Sequence, residues 1–543
     1  MKNDELPRVV GTETEYDLTS GKSNDFLISQ PLAWRFFSAV FPVAPFALKD
    51  YDKTFLTNGA LVYADTGKHP EYATPECQSV KSLIAHCKAG QKLMERAEIF
   101  LNDFLKNPEE LPPFLNQAAY DNLRRAYANT LNKKYYPIRI FRNNLSTAIN
   151  PDTNENVSWG FHENYLRKID TKFIKTEGLL IPFLISRQIY GGAGWLHLYH
   201  DKSIAFLRAQ RPLVIHSSTG GSTTSARAVI NTRNEPLADA SKWNRLHLIM
   251  GDSNMSPLAE WLKIKNTAMV LDVIEDHEFT ANIDFSDIKN PVQIFKKISR
   301  DWSNSWKFFA GGKYHTALSL QRFYLDLVRR YYLVEERKEA DEETRNCIEL
   351  WQIVLDLIGS SEFSLLAPFF DSFAKLYIFE TILSRSGITL QELRGRELRL
   401  NGDIQPDLFS YLKQVDICYH RVYEKEGVYF IFQKNKKCQE LKNSLSERFP
   451  LLKKEIVSEQ DIDNAILNPP AGRAVWRKKI MELARLEDKT KPIKCLYPGW
   501  DLCRLIYSDD WEDRFSNPNP YSETTQELEE RLAQHKNNDS KNI

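Results

Sequence analysis

Two short segments, Gly11-Thr-Glu-Thr-Glu-Tyr16 and Tyr63-Ala-Asp-Thr-Gly-Lys-His-Pro-Glu-Tyr-Ala-Thr-Pro-Glu76, crowd carboxylates into stretches that otherwise read as β-strand. Side chains in a strand alternate between faces, so Glu13 and Glu15 share a side, as do Tyr63 and Asp65, and His69 and Glu71. Several carboxylates on one pleated face raise one another's pKa unless something neutralises them. Mg²⁺ does so, since it takes oxygen ligands and commonly bridges one or two protein carboxylates to nucleotide phosphates. The expected chemistry is a metal–nucleotide site built on a sheet. For any single acid, solvent exposure or pairing with Lys or Arg is the plainer reading. Acidic residues are depleted from strands, which weighs against that reading for the two segments together.

A second polar region follows at Ser217-Ser-Thr-Gly-Gly-Ser-Thr-Thr-Ser-Ala-Arg227, Asn231-Thr-Arg233-Asn-Glu235, Arg245-Leu-His247 and Gly251-Asp-Ser-Asn254. The Gly/Ser/Thr run lacks the Walker spacing and reads more simply as a flexible loop. Arg227 and Arg233, six residues apart in a strand-like context, share a face. They either bracket an anionic phosphate or carboxylate, or form ordinary ion pairs. Gly191-Gly192-Ala193-Gly194 is not a dinucleotide fingerprint. His69, His162 and His247 are candidate ligands or bases, with structural hydrogen bonding as the alternative for each.

The elements that must position these groups change character along the chain. Strand-like runs alternate with helices through the first half, with a helix expected over 83–105 and strands over 205–211 and 228–233. From about 290 to 400 the pattern is mainly helical, with clear segments at 323–336 and 347–357. Asn401-Gly402 and Pro406 mark a boundary. The expected organisation is a catalytic domain over 1–402, a small C-terminal domain over 403–520 and a polar tail over 521–543. At 543 residues the chain exceeds what one hydrophobic core supports. Lys plus Arg equals Asp plus Glu at 72 each, which excludes blanket attraction to nucleic acid or anionic membrane. Without a signal-peptide pattern or a run of about eighteen apolar residues, the expectation is a soluble, cytoplasmic protein with no membrane partner. Seven scattered cysteines suggest reduced thiols rather than a disulfide framework or a zinc site.

The motifs also carry a resemblance. The first segment, Asn58-Gly-Ala60, Tyr63-x-Asp65, His69-Pro-Glu-Tyr-Ala-Thr74, Asn143-Asn144, Gly160-x-His-Glu-Asn-Tyr-Leu166, Ile230-Asn-Thr-Arg233 and Arg245-Leu-His-x-Ile-x-Gly-Asp-Ser-Asn-Met-Ser256 resemble, in order, the Pup ligase and Pup deamidase/depupylase family. Asp416-Ile-Cys-Tyr-His420 and Gly427-Val-Tyr429 extend the likeness. The resemblance implies an α+β fold of the glutamine-synthetase, carboxylate-amine ligase type. Its curved antiparallel sheet is backed by helices, and a small mixed α/β C-terminal domain follows. It implies ATP and Mg²⁺ as cofactors, with Glu13, Tyr63 and Glu71 at the metal, Thr74, Trp500 and Glu15 at the nucleotide, and Asp65 as catalytic base. Arg227 and Arg233 would hold phosphate oxygens.

The implied reaction joins the side-chain carboxylate of the C-terminal Glu of Pup, or of a Pup-like modifier, to lysines of acceptor proteins through a γ-glutamyl phosphate. Gly251-Asp-Ser-Asn-Met-Ser256, Ala73-Thr74-x-Glu-Cys77 and Gln433-Lys434 look ligase-like. The short interval between Tyr16 and Phe55 leaves little room for the deamidase branch's loop. Depupylase or deamidase action, a small-molecule carboxylate-amine ligase and a non-catalytic Pup-binding paralogue are the alternatives. Leu61 stands where ligases usually carry an ATP-contacting arginine, Arg421 where an Asp is usual, and Pro257 where an acid is.

Overall fold

In the computed structural model the first acidic segment forms β1 (Val10–Glu15), an interior strand of an eight-stranded sheet. The structure describes residues 6–20, 53–65, 69–107, 121, 137–150, 155–169, 173–394, 398–487, 491–497 and 499–539. Most of the Tyr16–Phe55 interval read above as ligase-like lies outside them. The other strands are β2 (Lys53–Phe55), β3 (Leu61–Ala64), β4 (Pro70–Ala73), β5 (Phe161–Lys168), β6 (Ser217–Gly220), β7 (Ala228–Asn231) and β8 (Trp243–Leu248). Their order is β6-β7-β8-β5-β1-β4-β3-β2. All pair antiparallel except β6 with β7, which run parallel, so the sheet is mixed rather than wholly antiparallel. The small Gly/Ser/Thr residues between them let the chain double back to the start of the neighbouring strand.

The rear face of the sheet is packed by helices α1 (Val80–Lys106), α2 (Phe173–Ser186) and α3 (Pro257–Glu275). Helix α1 starts where the Ser79 side chain accepts from the Ser82 N–H, and it buries Leu83, Ile84, Cys87, Met94, Ala97 and Leu101, the stripe expected from helical spacing. It lies very close to the sheet. Cys87 Sγ is 3.1 Å from Thr12 Oγ1, and a Cβ on Gly90 would come to 2.5 Å from the Tyr72 ring. Behind the sheet, charges are buried in pairs: Arg187 with Glu163 and Arg142 with Glu260, each at 2.6 Å.

Packing changes between Leu467 and Arg473, at Pro469-Pro470-Ala471-Gly472, rather than at residue 402. Leu412, Val422, Leu445 and Ile462 belong to the main core, because the Asn401-Gly402 turn only reverses the chain on its surface. A second core forms from α4 (Arg473–Glu487), the three-stranded sheet β9 (Ile493–Tyr497), β10 (Leu502–Tyr507) and β11 (Glu512–Ser516), and α5 (Gln526–Asp539). The stretch read as a polar tail thus supplies a helix whose Leu528 is fully buried. This core includes Phe55, Leu61 and Ala73 from β2, β3 and β4, the three strands at one end of the large sheet.

All seven cysteines are free, and among the described residues no helix is long and apolar enough to cross a membrane.

Candidate active site

Strand register gathers the acids. Glu15 lies opposite Glu71, Glu71 opposite Tyr63, Glu13 opposite His162, and Asn164 opposite His247. Directly opposed residues share a face, and Glu13 and Glu15 share one by strand alternation. The front of the sheet therefore carries all seven side chains.

Glu13 is held from several sides. His162 Nδ1 is 3.0 Å from its Oε2, and Asn164 Nδ2 donates to its Oε1 at 3.1 Å. His247 Nε2 and Arg245 Nη1 lie at 3.8 and 3.9 Å. Burial alone would raise its pKa, but the His162 hydrogen bond and the nearby positive charge hold it well below the carboxylate range. Burial also opposes ionisation of Glu15. Its contacts with His69 Nε2 at 3.0 Å and the Gly160 N–H, donating at 2.6 Å, bring it down to about 2.

Glu71 is the opposite case. Burial first, then the proximity of Glu15, Glu13 and Asp65, push its pKa well above the ordinary value. It is hydrogen-bonded to the Tyr63 hydroxyl, yet its Oε1 is buried with no partner. Burial drives the His247 imidazole down to about 3, so it is neutral at pH 7, and both its ring nitrogens lack hydrogen bonds. An orphaned carboxylate oxygen and the single lone pair of a neutral imidazole amid converging carboxylates suit a divalent cation. Glu13, His162 and His247 bring ligand atoms within 4.8 Å of one another, and Glu15, Asp65 and His69 form a second such group.

Asp65 stands just past β3, where its N–H donates to the His69 carbonyl at 3.1 Å and closes the hairpin. Thr74 follows β4. Its N–H donates to the Thr12 carbonyl and its Oγ1 accepts from the Thr12 N–H, both at 2.9 Å. Beside Glu13 opens a cavity lined by Thr74, Glu76, Asn164, Leu237, Arg245, Arg473 and Trp500. Trp500 meets Phe55 edge-on at 5.1 Å, and the Arg477 guanidinium lies over both rings, 5.2 Å from Phe55 and 5.0 Å from Trp500.

A third arginine, Arg245, lies against Glu13. Arg233 is half-exposed, 3.7 Å from Glu235, and adds to the positive field at His247. Arg227 contributes in the same way at the buried Arg211. The signal for Arg245 is in the sequence, since strand spacing puts it on the face of His247. The Glu76–Arg473 contact, at 2.6 Å across 397 residues, has no local signal.

Two departures from the resemblance acquire a physical setting. Leu61 is 9% exposed and packs in the second core. Arg421 pairs with Glu98 and Glu426, each at 2.6 Å, so its charge is matched.

Residues 8–494 match the family model described as Pup-ligase protein. The chain belongs to the Pup ligase family. Among curated relatives, it is 30% identical to Pup--protein ligase 2 of Rhodococcus erythropolis over 419 residues, 77% of this chain and 78% of that one. The Pup--protein ligase of Mycolicibacterium smegmatis is 30% identical over 435 residues, 79% of this chain and 80% of that one. The fold of this Pup ligase family member is similar to that of the ligase PafA in a crystal structure of its complex with the prokaryotic ubiquitin-like protein Pup. The TM-score there is 0.73 at 24% identity, covering 98% of this chain and 93% of that chain. It is also similar to PafA in complex with ADP, with a TM-score of 0.67 at 24% identity over 95% of both chains.

Proposed function

We propose that this chain is a cytoplasmic, ATP-dependent ligase that forms an isopeptide bond between the C-terminal glutamate side chain of Pup, or of a Pup-like modifier, and lysines of acceptor proteins. The single observation that carries the reading is the front of the sheet. Glu13, Glu15 and Glu71 converge there beside the Thr74–Trp500 cavity, and Glu71 keeps an unpartnered oxygen. We read this sheet as a glutamine-synthetase-like cradle.

Glu13, Glu71 and Tyr63, with His162 and His247 beside them, would hold Mg²⁺. The ion would supply the positive charge that this acidic face lacks and that the nucleotide phosphates require. Thr74, Trp500 and Glu15 face the nucleotide. The modifier carboxylate attacks the terminal phosphorus of ATP, ADP leaves, and a γ-glutamyl phosphate results. Arg245, with Arg233 beside it and Arg227 as a further phosphate-binding arginine, stabilises the oxygens on which charge accumulates. A lysine amine then attacks the acyl carbon and phosphate departs. The lysine must first lose a proton it holds to a pKa of about 10.4 in water. Asp65, at the edge of the same face, takes it.

The test incubates the full chain with ATP, Mg²⁺, a modifier peptide ending in Gly-Gly-Glu and a lysine-bearing acceptor. A covalent adduct that Asp65→Asn abolishes is expected. No adduct, or one undiminished in Asp65→Asn, overturns the ligase reading, and removal of a preformed adduct alone selects depupylase action.

A further inference from the structure

The Asn143-Asn144 pair takes no part in the chemistry above, yet Asn144 is fully buried and bonded through both its backbone and its side chain. Its backbone N–H donates to Gln210 Oε1 at 2.8 Å, and its backbone carbonyl accepts from the Trp159 N–H at 3.1 Å. Its Oδ1 accepts from the Ser253 N–H at 2.6 Å, and its Nδ2 donates to the Trp159 carbonyl at 2.9 Å. Asn144 therefore grips Trp159 by both its N–H and its C=O. Ser253 offers a donor here and Trp159 an acceptor, so the side chain must present an oxygen to one and an N–H to the other. Of the side chains with this shape, ionised aspartate lacks the donor and leucine lacks both groups.

The next residue reaches the acids. Gly160 donates its N–H to Glu15 Oε2 at 2.6 Å, and its carbonyl accepts from the Glu15 N–H at 3.1 Å. It lies tight against the front of the sheet, where an added Cβ would run into the His162 ring and the Glu15 carboxylate. On the other side of Asn144, Ser253 belongs to Gly251-Asp-Ser-Asn-Met-Ser256, a segment pinned by two buried carboxylates. Asp252 accepts from the N–H groups of Ala193, Gln210 and Arg211, and Asp371 from those of Met255 and Ser256. Arg211 also touches the Trp159 carbonyl at 3.3 Å, but its shorter bond, at 2.7 Å, goes to the Ile249 carbonyl. Asn144 is the short link between an anchored interior loop and the peptide that meets Glu15.

We propose that Asn144 is a positioning residue for Glu15. It fixes the Trp159–Gly160 peptide so that the Gly160 N–H stays on the carboxylate and holds it in its working orientation, an inference that rests on the ligase reading above. Asn144 acts only through that peptide. Without Nδ2 the Trp159 carbonyl keeps only the longer Arg211 contact, and the Gly160 N–H is released from Glu15, leaving His69 to hold the carboxylate. A short bond from an N–H to a carboxylate depends steeply on distance and angle. Partners that orient a site residue from behind are commonly worth about 10- to 100-fold in metal affinity or activity.

Trp159-Gly160 is the only Trp-Gly pair in the chain, so labelling with carbonyl-¹³C tryptophan and ¹⁵N glycine isolates one amide resonance. The experiment records that resonance and the rate of adduct formation in full-length wild type, Asn144→Ala and Asn144→Ser. In wild type the Gly160 proton is expected far downfield, as the donor to a carboxylate at 2.6 Å, and Glu15→Gln should move it upfield. In both Asn144 variants it should also move upfield, and the rate should fall about 10- to 100-fold. Asn144→Ser keeps a polar group and a smaller cavity, so it tests the link if Asn144→Ala fails to fold. A wild-type resonance at an ordinary amide position overturns the link, as does one that stays in place in a folded Asn144 variant. An upfield shift with an unchanged rate overturns the positioning role. The resonance is read without substrates, so a wild type that forms no adduct while its Gly160 signal responds to Asn144 supports the link and overturns the ligase reading.

Discussion

Glu71 lies directly opposite Glu15 in the β1–β4 ladder, and the two carboxyls are driven in opposite directions, Glu15 down to about 2 and Glu71 well above its ordinary 4.5. One acid is fully neutralised by its protein neighbours and the other is left for an outside charge. Without a cation, ionising Glu71 costs the folded state energy. Its contribution to stability is therefore fully present below about pH 4.5 and is lost as pH rises through its raised folded value. Mg²⁺ should remove that loss, so its stabilising effect grows as pH rises above the ordinary 4.5. Melting curves in EDTA and in Mg²⁺ check this. Glu71→Gln should melt higher than wild type in EDTA at the upper pH and lose most of the Mg²⁺ response.

Asp65 has a role that a change of nucleophile isolates. Asp65→Asn should lower adduct formation with lysine on the order of 10²- to 10⁴-fold. Hydroxylamine, already neutral at pH 7, needs no base, so hydroxamate formation from the activated modifier should persist in the variant. Equal losses with both nucleophiles would assign Asp65 to the earlier phosphoryl transfer instead.

Arg245 reaches within 3.9 Å of Glu13, whereas Arg233 is half-exposed beside Glu235. Arg245→Ala should reduce kcat about 10²-fold or more, the usual cost of removing a donor aimed at developing charge. Arg233→Ala should cost less than about 10-fold. Steady-state rates with saturating ATP separate the two, and a reversed order would return Arg233 to the centre of the site.

Burial would raise the Glu76 pKa, but Arg477 and Arg473 outweigh it and hold the carboxyl at about 2. A depressed carboxyl contributes stability that is present above its ordinary 4.5 and is lost as pH falls through its folded value. The contribution is on the order of 3 kcal/mol. Acid titration between about pH 5 and about pH 2 should loosen the α4 unit from the sheet edge, read as exposure of Trp476 and Trp500 to a fluorescence quencher. In Glu76→Gln that unit should be loosened already at pH 7, because two buried guanidiniums lose their counter-charge.

Gly90 is a purely mechanical case. An added methyl would come to 2.5 Å from the Tyr72 ring. Gly90→Ala should therefore destabilise the chain by about 1–3 kcal/mol despite its better helix propensity, measurable by chemical denaturation.

Much of this was legible because it is local. Alternation alone puts Glu13 with Glu15, and helical spacing alone marks the buried stripe of α1. The pairing of Glu13 with His162, 149 residues away, is a matter of register, which no single strand encodes. The change of core past Leu467 has no local signal for a related reason. Asn401-Gly402 and Pro469-Pro470-Ala471-Gly472 are both turn-rich, and only the apolar contacts on either side distinguish a surface reversal from a change of core. The composition of the last stretch is polar, as a tail's is, and a few apolar residues such as Leu528 and Leu532 suffice to dock its helix.

Strand β1 is hydrogen-bonded along both edges, to β4 and to β5. Sequence drift in this segment is therefore constrained in a discrete way. Deleting Thr12 while the ladder stays in place would exchange the parity of the strand, turning both carboxylates toward Cys87 and the helices and Thr14 toward the cavity. Substitutions here can be graded and tolerated one at a time, but an odd-numbered insertion or deletion inverts the site in a single event. Length changes in descendants of this chain should accumulate in the connections and spare β1.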